Sequence, residues 1–292
     1  MNATVSGGSF NEIFRTILWR LLEESDYETE PRGMKIKELI NSTLILEKPM
    51  NRLLTIEERD FSLRYLAGEL CFYLSGSEDL KFISHYSKFW EKVSDDGKTI
   101  NSNYGARLFY DRLSDGRTQF EYCRDALLTD PDSRKAVAFI YYPAAHSKLS
   151  RDNPCTQYIQ FFIRDEALML ITNMRSNDVW FGLSYDLPFF CVVQEMMLRV
   201  LQKKYSGIGL GPYIHNAGSL HLYERNWEQA EKIVKDPTYI YDVTEDMPEF
   251  KYEDLARIPF LLATEQALRK GRDPLFTDLS DWTLWIQERL SK

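Results

Sequence analysis

Apolar residues recur at helical spacing in several separate stretches of the chain. Residues 10–22 carry them at positions 10, 13, 17, 18, 21 and 22, which predicts an amphipathic helix. Thr55, followed three positions later by Glu58, has the pattern of a capping box. It predicts a helix that continues to about residue 74 and ends at Gly76. The long apolar stretch 187–204 predicts a central core helix. Further helices are predicted over residues 119–128 and near 259–270 and 279–290.

Shorter segments rich in apolar, β-branched and aromatic residues predict strands. Asp165 and Glu166 separate two of them, 158–164 and 167–175, and predict a hairpin. Residues 28–32 read as a polar loop. Because helices and strands follow one another without regular βαβ alternation, the pattern predicts an α+β fold. Other strands are predicted over residues 34–46, 135–142 and 219–223.

Composition and charge narrow the class of protein. A chain of 292 residues with 44% hydrophobic content is long enough to bury a full-sized core. The net charge of -8 argues against nucleic acid as the main partner and favours a small anionic ligand held by a few arginines. No apolar run reaches the roughly 18–20 residues of a membrane helix, and the first eight residues lack signal-peptide features. We therefore expect a cytoplasmic protein without membrane contact.

Cys155 is the candidate nucleophile among the four cysteines. No two cysteines have CxxC spacing, so neither a metal site nor a redox motif is predicted. Three of them lie in apolar or helical settings, where cysteine acts as a small hydrophobic residue. Cys155 instead precedes polar Thr156 and Gln157. A nearby cation would lower the pKa of its thiol, and Arg175 is a candidate for that cation.

Several polar residues have the chemistry of a nucleotide site, although each also has a structural interpretation. Arg175 with Ser176 offers a fork of donors and a hydroxyl to a phosphate, or forms a solvated surface turn. Residues 132–135, which include Arg134 and Lys135, have the same two interpretations. His221 and Tyr223 alternate with apolar residues on one strand face and would suit a sugar hydroxyl, or a structural role. The apolar setting of Glu69 suits either a buried general acid/base or the wet face of a helix.

Together these segments resemble the thymidylate synthase superfamily over about residues 32–234. Within it the chain looks more like the deoxycytidylate hydroxymethylases of bacteriophages than like thymidylate synthase itself. The motifs follow in order: Gly68-Glu69-Leu70, Asn103-Tyr104-Gly105, Pro131-Asp132-Ser133-Arg134, Pro154-Cys155, Arg175-Ser176 with Asp178, Gly182, and His221 with Tyr223.

The resemblance places Asp186 at the position of the synthase asparagine that reads uracil. An amide complements the N3–H donor and O4 acceptor of uracil. A carboxyl group instead accepts from the N4 amino group of cytosine and, when protonated, donates to N3. An unmatched buried polar contact costs about 1–3 kcal/mol, so Asp186 predicts a cytosine substrate.

The resemblance implies transfer of a one-carbon unit from 5,10-methylenetetrahydrofolate to C5 of dCMP, followed by addition of water. Cys155 would attack C6 and Asp186 would stabilise the charge that develops on the base. Glu69 would transfer protons and order the water. Tyr104 and Asp178 would orient the base and the folate.

The resemblance also implies a large mixed sheet covered by helices, with two sheets packed back to back in a homodimer. Arg32, Arg175 and Ser176 would hold the 5′-phosphate, and Arg134 with Lys135 would reach it from the second subunit. His221 and Tyr223 would contact the 3′-hydroxyl. The catalytic domain is expected over residues 1–235, and 236–292 would form a helical extension of unassigned role.

Three alternatives stay open at this stage. The chain would instead be a CMP hydroxymethylase of the nucleoside-antibiotic type, a dCMP or dUMP methylase, or a non-catalytic homologue that binds nucleotide. The environment of the 2′-carbon separates the first from a deoxyribonucleotide enzyme, and formation of dihydrofolate identifies the second.

Overall fold

The computed structural model describes residues 3–142, 150–236, 247–276 and 279–291. The contacts between residues divide the chain into two compact units. The first contains Met1–Phe61, Phe161–Gln194 and Gly207–Met247, and the second contains Ser62–Gln160, Glu195–Ser206 and Pro248–Lys292. The chain therefore passes between the units several times.

A mixed sheet forms the centre of the first unit. Its strands follow the order β1-β3-β8-β6-β5, with β2 beside β3 and β7 beside β8. β1 and β6 run parallel to their neighbours β3 and β8, whereas β3 and β8 are antiparallel. The strands are β1 (Thr4–Gly7), β2 (Tyr27–Thr29), β3 (Ile36–Leu46), β5 (Thr156–Arg164), β6 (Ala167–Met174), β7 (Asn177–Asp178) and β8 (Gly209–Tyr223).

The two faces of this sheet differ in burial because side chains alternate along each strand. On β8, Tyr213, His215 and Ala217 are buried, whereas Ile214 and Asn216 on the opposite face are half-buried. Helices α1 (Phe10–Glu23) and α7 (Trp227–Lys235) and the first part of α6 (Ser184–Leu201) also belong to this unit. Helix α1 buries one apolar side and is capped at its N-terminus by Ser9, whose side chain accepts from the backbone of Glu12.

The second unit is mainly helical. Helices α8 and α9 near the C-terminus pack against each other and against α2. The single strand β4 (Val137–Phe139) pairs antiparallel with the first half of β5. The helices are α2 (Leu63–Ser75), α3 (Leu80–Ser84), α4 (Phe89–Val93), α5 (Gln119–Thr129), the last part of α6, α8 (Asp254–Arg269) and α9 (Asp281–Leu290).

The α+β class and most element positions predicted from the sequence are confirmed. Helices α1 and α5 agree with their predicted bounds to within about a residue, and α5 carries a complete capping box between Thr118 and Glu121. Strands β5 and β6 flank the predicted hairpin turn, where Asp165 and Glu166 both have positive φ. Asp is among the residues most tolerant of that conformation, and the two-residue loop of a hairpin requires it.

The predicted helix start at Thr55 is wrong. The side chain of Thr55 accepts a hydrogen bond from the Asn11 amide at 2.6 Å, and its backbone donates to the Asn11 Oδ1. Only a 3-10 turn follows, and helix α2 begins after Ser62, which caps the backbone of Tyr65. The predicted end at Gly76 is confirmed. The Thr55 hydroxyl is therefore engaged in a tertiary contact with Asn11 and does not cap a helix, as the local pattern had predicted.

Other boundaries also differ from the sequence predictions. The predicted strand 219–223 is the end of the much longer β8, and the strand predicted over 135–142 has only the three residues of β4. Residues 28–32, predicted as a loop, include part of β2. Helix α6 begins at Ser184 rather than at residue 187, so Asp186 lies in its first turn. The proposed division at residue 235 stays a prediction, and residues 237–246 lie outside the described ones.

Candidate active site

Asp186 of the first unit is buried and has one strong hydrogen bond. Its Oδ2 accepts from the Asn177 Nδ2 at 2.8 Å. Asp186 is 8% exposed and Asn177 is 2% exposed, so solvent does little to stabilise a charge there. Burial, opposed by the Asn177 hydrogen bond and reinforced by the charge of Asp178, raises the pKa of Asp186 to about 7. The carboxyl group is therefore able to gain or lose a proton near neutral pH.

Gly182 makes room for this contact. A Cβ atom at position 182 would lie 2.9 Å from the Asn177 Nδ2 and 3.5 Å from the Asp186 Oδ2. Gly182 belongs to a single π-helical turn, Val179–Leu183, which leads directly into helix α6. A larger residue here would push the Asn177 amide away from Asp186.

Asp178 begins that turn and faces the end of β8. Its Oδ1 accepts from the backbone of Trp180 at 2.9 Å, which caps the turn. Its Oδ2 lies 3.8 Å from the Arg225 guanidinium. Burial raises the pKa of Asp178, although the charge of His221 opposes that shift. In the parallel pairing of β7 with β8, Asp178 is the direct partner of His221.

His221 and Tyr223 lie side by side at the end of β8, as the alternation predicted. Their rings meet edge to face at 5.2 Å. Burial lowers the pKa of His221, and no hydrogen-bond partner for its Nδ1 exists among the described residues. The Tyr223 hydroxyl accepts from the Arg32 guanidinium at 3.5 Å, and Arg225 lies over its ring at 4.3 Å. A neutral imidazole and a hydroxyl are thus held beside two cations.

Arg175 and Ser176 follow β6, where the backbone of β8 approaches closely. The Ser219 backbone donates to the Arg175 carbonyl at 3.2 Å. A Cβ atom at Gly218 would lie 2.8 Å from that carbonyl oxygen, so only glycine permits this approach. Arg175 is exposed, as is Arg32, whose φ is 57°. The first unit therefore brings together seven of the predicted residues: Arg32, Arg175, Ser176, Asp178, Asp186, His221 and Tyr223.

Two residues that hold this region together, Asn177 and Arg59, were not among those predicted from the sequence. The buried Arg59 guanidinium donates to the Trp180 carbonyl at 2.9 Å and to the Ser184 hydroxyl at 3.3 Å. It thereby joins the turn that carries Gly182 to the start of helix α6. Asn177 lay inside the Arg-Ser-x-Asp segment and was detectable there, whereas nothing in the pattern around Arg59 indicated its burial.

Glu69 of the second unit lies on helix α2 at the end of a short chain of hydrogen bonds. The Tyr65 hydroxyl, one turn earlier, donates to the Glu69 Oε1 at 2.6 Å. The Trp90 indole N–H of α4 donates to the same hydroxyl at 3.0 Å. Since the indole is a donor only, the Tyr65 proton points at the carboxyl group. The sequence suggested either a buried position or the solvent-exposed face of a helix for Glu69. Its exposure of 6% agrees with the buried position.

The loop before Cys155 is bound to the loop before Tyr104 through Asp152. The buried Asp152 accepts from the backbones of Asn101 at 2.6 Å and Ser102 at 3.1 Å. It also accepts from the Ser102 hydroxyl at 2.5 Å. Despite these donors, burial raises the pKa of Asp152. Both of its oxygens are committed to the loop, so the role it supports is structural.

Tyr104 itself is buried against helix α2. Its ring stacks on that of Tyr73 with centroids 5.0 Å apart and an interplanar angle of 7°. A Cβ atom at Gly105 would lie only 1.7 Å from the Tyr73 carbonyl oxygen, so the approach requires glycine. The Asn103 amide donates to the Phe72 and Ser77 carbonyls and fixes this segment.

Cys155 differs from the other cysteines in its exposure. Cys155 is half-buried, whereas Cys71, Cys123 and Cys191 are buried. Burial raises the pKa of Cys123 to about 12 and that of Cys71 well above its ordinary value. These two thiols are therefore poor nucleophiles at neutral pH. The nucleophilic role of Cys155 stays a prediction.

Arg134 and Lys135 lie just before β4, and both are exposed. The neighbouring Ser133 is buried and accepts from the Lys135 backbone at 3.2 Å. The Arg134 carbonyl accepts from Gln160 at 3.0 Å. The backbone of this segment is thus fixed while the two cationic side chains extend into solvent.

Residues 3–142, 150–236, 247–276 and 279–291 contain no cluster of His, Cys, Asp or Glu suited to a metal ion. Within those same ranges, no helix combines the length and apolar character needed to cross a bilayer.

The fold is similar to that of the thermostable thymidylate synthase A from Bacillus subtilis. The TM-score is 0.59 at 19% sequence identity, and the match covers 78% of this chain and 84% of that chain. This likeness shows that the chain has a thymidylate synthase fold. In addition, residues 12–257 match the family model described as Thymidylate synthase. The chain belongs to the thymidylate synthase family, a family of one-carbon transferases, which confirms the resemblance and the enzyme class read from the motifs.

Curated relatives include three phage enzymes. The deoxyuridylate hydroxymethyltransferase of Bacillus phage SP01 is 29% identical over 84% of this chain, and the match spans 65% of that protein's length. The deoxycytidylate 5-hydroxymethyltransferase of Enterobacteria phage T4 is 28% identical over 78% of this chain and 95% of its own length. That of phage T2 is 30% identical over 74% of this chain and 87% of its own length.

Proposed function

We propose that this protein is a deoxycytidylate 5-hydroxymethyltransferase. It would convert dCMP, 5,10-methylenetetrahydrofolate and water into 5-hydroxymethyl-dCMP and tetrahydrofolate. The observation that carries the proposal is the buried carboxyl group of Asp186, whose pKa of about 7 lets it present a proton near neutral pH. The named activities of the T4 and T2 relatives support the same reaction.

The chemistry of Asp186 favours cytosine. A neutral carboxyl group donates to the unprotonated N3 of cytosine, whereas the N3–H of uracil would meet that donor with another donor. When a nucleophile adds to C6, negative charge develops on C5 and N3. The Asp186 proton would stabilise this charge as it forms, which is the kind of contact that lowers the barrier to reaction.

Cys155 and Glu69 would supply the covalent step and the proton transfers. The Cys155 thiolate would form a bond to C6 of the pyrimidine, which makes C5 the nucleophile toward the one-carbon unit. Glu69, held by the Tyr65 hydroxyl, would then move protons at C5 and orient the water that becomes the hydroxyl of the product. The C5 proton and one proton of water end on tetrahydrofolate, so the overall reaction requires no oxidant or reductant.

The sugar and phosphate would be held by the residues around the end of β8. The exposed Arg175 and Arg32 would bind the 5′-phosphate, with the Ser176 hydroxyl as a further donor. His221, whose buried Nδ1 has no hydrogen-bond partner among the described residues, and Tyr223 would contact the 3′-hydroxyl. A contact with His221 would satisfy a buried polar atom that otherwise costs free energy.

Methylenetetrahydrofolate would supply a one-carbon unit at the oxidation level of formaldehyde. The residues of the first unit fit the pterin and aromatic parts of such a molecule. Asp178 offers a carboxyl group that accepts from ring N–H groups, and Phe181, three residues on, is 48% exposed and offers an aromatic face. Tyr104 would help to orient the base.

We further propose a homodimer in which Arg134 and Lys135 serve the site of the partner. The half-buried sheet face supports this, because residues such as Ile45, Ile171 and Ile214 lie on it. Mixing two inactive variants tests it. If Arg134 acts across the interface, C155S and R134A protomers together form a mixed dimer with one intact site. Recovered activity is expected, and no recovery would show that Arg134 acts within its own subunit.

Hydroxymethylation of dUMP is the second candidate, because the SP01 relative carries that name. The experiment is to incubate the protein with methylenetetrahydrofolate and either dCMP, dUMP or CMP, and to identify products by mass. We expect 5-hydroxymethyl-dCMP and no dihydrofolate. Absence of that product would refute the proposal, a CMP product would indicate the ribonucleotide enzyme, and dihydrofolate would indicate a methylase. C155S should be inactive, with C123S as the matched control at a buried cysteine.

A further inference from the structure

The position of Asn177 determines which oxygen of Asp186 is available to a ligand. The 2.8 Å hydrogen bond from its Nδ2 occupies Oδ2 of the carboxyl group. The described residues provide no hydrogen bond to Oδ1 of Asp186, and Asp186 keeps a small exposed fraction of 8%. One oxygen is therefore committed to the protein while the other is left for a bound molecule.

The orientation of the Asn177 amide has a cost. Its own Oδ1 is buried, and no described residue donates to it. A buried acceptor without a donor is destabilising, so the amide would turn over if nothing opposed that. Turning it over would place an acceptor against Asp186 Oδ2 instead of a donor. The contact with Asp186 is thus what holds the amide in this orientation.

This orientation also determines where a proton on Asp186 resides. An N–H group prefers the carbonyl-type oxygen of a neutral carboxyl group as its acceptor, because the hydroxyl oxygen is the weaker acceptor. With Asn177 on Oδ2, the proton of neutral Asp186 belongs on Oδ1. A molecule beside Oδ1 then meets an O–H donor, which suits the unprotonated ring nitrogen of a 4-aminopyrimidine.

We propose that Asn177 is a specificity-positioning residue, which makes Asp186 selective for 4-amino over 4-oxo pyrimidines by holding Oδ2 and leaving Oδ1 for the ring. The proposal rests on the function proposed above and adds a residue to it. Gly182 is needed for this arrangement, because a Cβ atom there would lie 2.9 Å from the Asn177 Nδ2.

The test compares the dissociation constants of dCMP and dUMP by calorimetry, without folate, for wild type, N177A and G182A. G182A keeps the Asn177 side chain but pushes its amide away from Asp186, so it should break the same hydrogen bond without removing the asparagine. We expect wild type to prefer dCMP and both variants to lose that preference by roughly tenfold or more, the scale of one unmatched buried polar contact. The ratio of the two constants does not change when a variant is merely less stable.

Asn11 provides a matched control, since it is a buried asparagine of the same unit whose amide binds Thr55. N11A should lose stability and keep the ratio. An unchanged ratio in N177A and G182A, or equal binding of both nucleotides by wild type, would overturn the proposal. If wild type prefers dCMP but yields no 5-hydroxymethyl-dCMP, the proposed function fails while the role of Asn177 stands.

Discussion

Asp186 and Asp152 are both buried aspartates, yet the protein engages their oxygens differently. Asp152 accepts three hydrogen bonds from Asn101 and Ser102, which occupy both of its oxygens. From the described residues Asp186 accepts one, from Asn177, on a single oxygen. Burial raises the pKa of both carboxyl groups. Burial alone therefore does not distinguish these two carboxyl groups, whereas the number of oxygens that the protein hydrogen-bonds does.

The largest expected effect concerns stability and pH. Because the folded-state pKa of Asp186 is raised to about 7, its neutral form stabilises the ligand-free fold at low pH, and this contribution is lost as the pH rises through 7. D186N removes the ionisation. The difference in unfolding free energy between D186N and wild type should therefore change by about 4 kcal/mol from pH 4 to pH 8, in favour of the variant. Denaturant unfolding at several pH values measures this, and parallel curves would contradict it.

The second prediction concerns Asp152. Replacing it with Ala leaves the Ser102 hydroxyl and two backbone N–H groups without their acceptor, so D152A should lose about 3 kcal/mol of stability. Activity toward dCMP and dUMP should fall by the same factor, because the substitution disturbs loops rather than the contact with the base. Urea unfolding and initial rates check both parts. A changed dCMP to dUMP ratio would erase the distinction between the two aspartates.

The third prediction concerns substrate choice. D186N replaces the carboxyl group with an amide that complements uracil. The ratio of kcat/KM for dCMP to that for dUMP should fall by roughly ten- to a hundredfold, equivalent to about 1.4–2.7 kcal/mol. Competition between the two nucleotides in one reaction, followed by mass analysis, measures the ratio directly. An unaltered preference for cytosine would mean that Asp186 does not read the base.

The smallest expected effect comes from Tyr65. Y65F removes the hydroxyl that donates to Glu69, so kcat should fall by about tenfold, equivalent to about 1.4 kcal/mol. The acidic limb of the pH–rate profile should shift upward, because a carboxylate without this donor is protonated more readily. KM for dCMP should change little. A purely structural role for Tyr65 would leave the shape of the profile unchanged, and that result would argue against Glu69 as the proton-transfer group.

Local patterns predicted the elements whose side chains are used locally. The apolar spacing of α1 needed no distant partner, and that helix has its predicted position. Helix α5 also lies where it was predicted, and the structure shows that Thr118 and Glu121 form a capping box at its start. Thr55 has the same Thr-x-x-Glu pattern but caps no helix. Its hydroxyl accepts a hydrogen bond from Asn11, which lies 44 positions away in the chain. A capping pattern is therefore decisive only where no tertiary contact competes for the side chain.

The α+β class, the family and the chemical groups of the site, including a carboxyl group at position 186, could all be predicted from the sequence. Residue types and their order along the chain are sufficient for that much. The fold sets the state of those groups, since desolvation raises the pKa of Asp186 and the amide of Asn177 donates to one of its oxygens. It also decided that Asp152 is committed to holding two loops. Desolvation and hydrogen-bond geometry depend on which residues the fold brings together, and the order of residues along the chain does not show this.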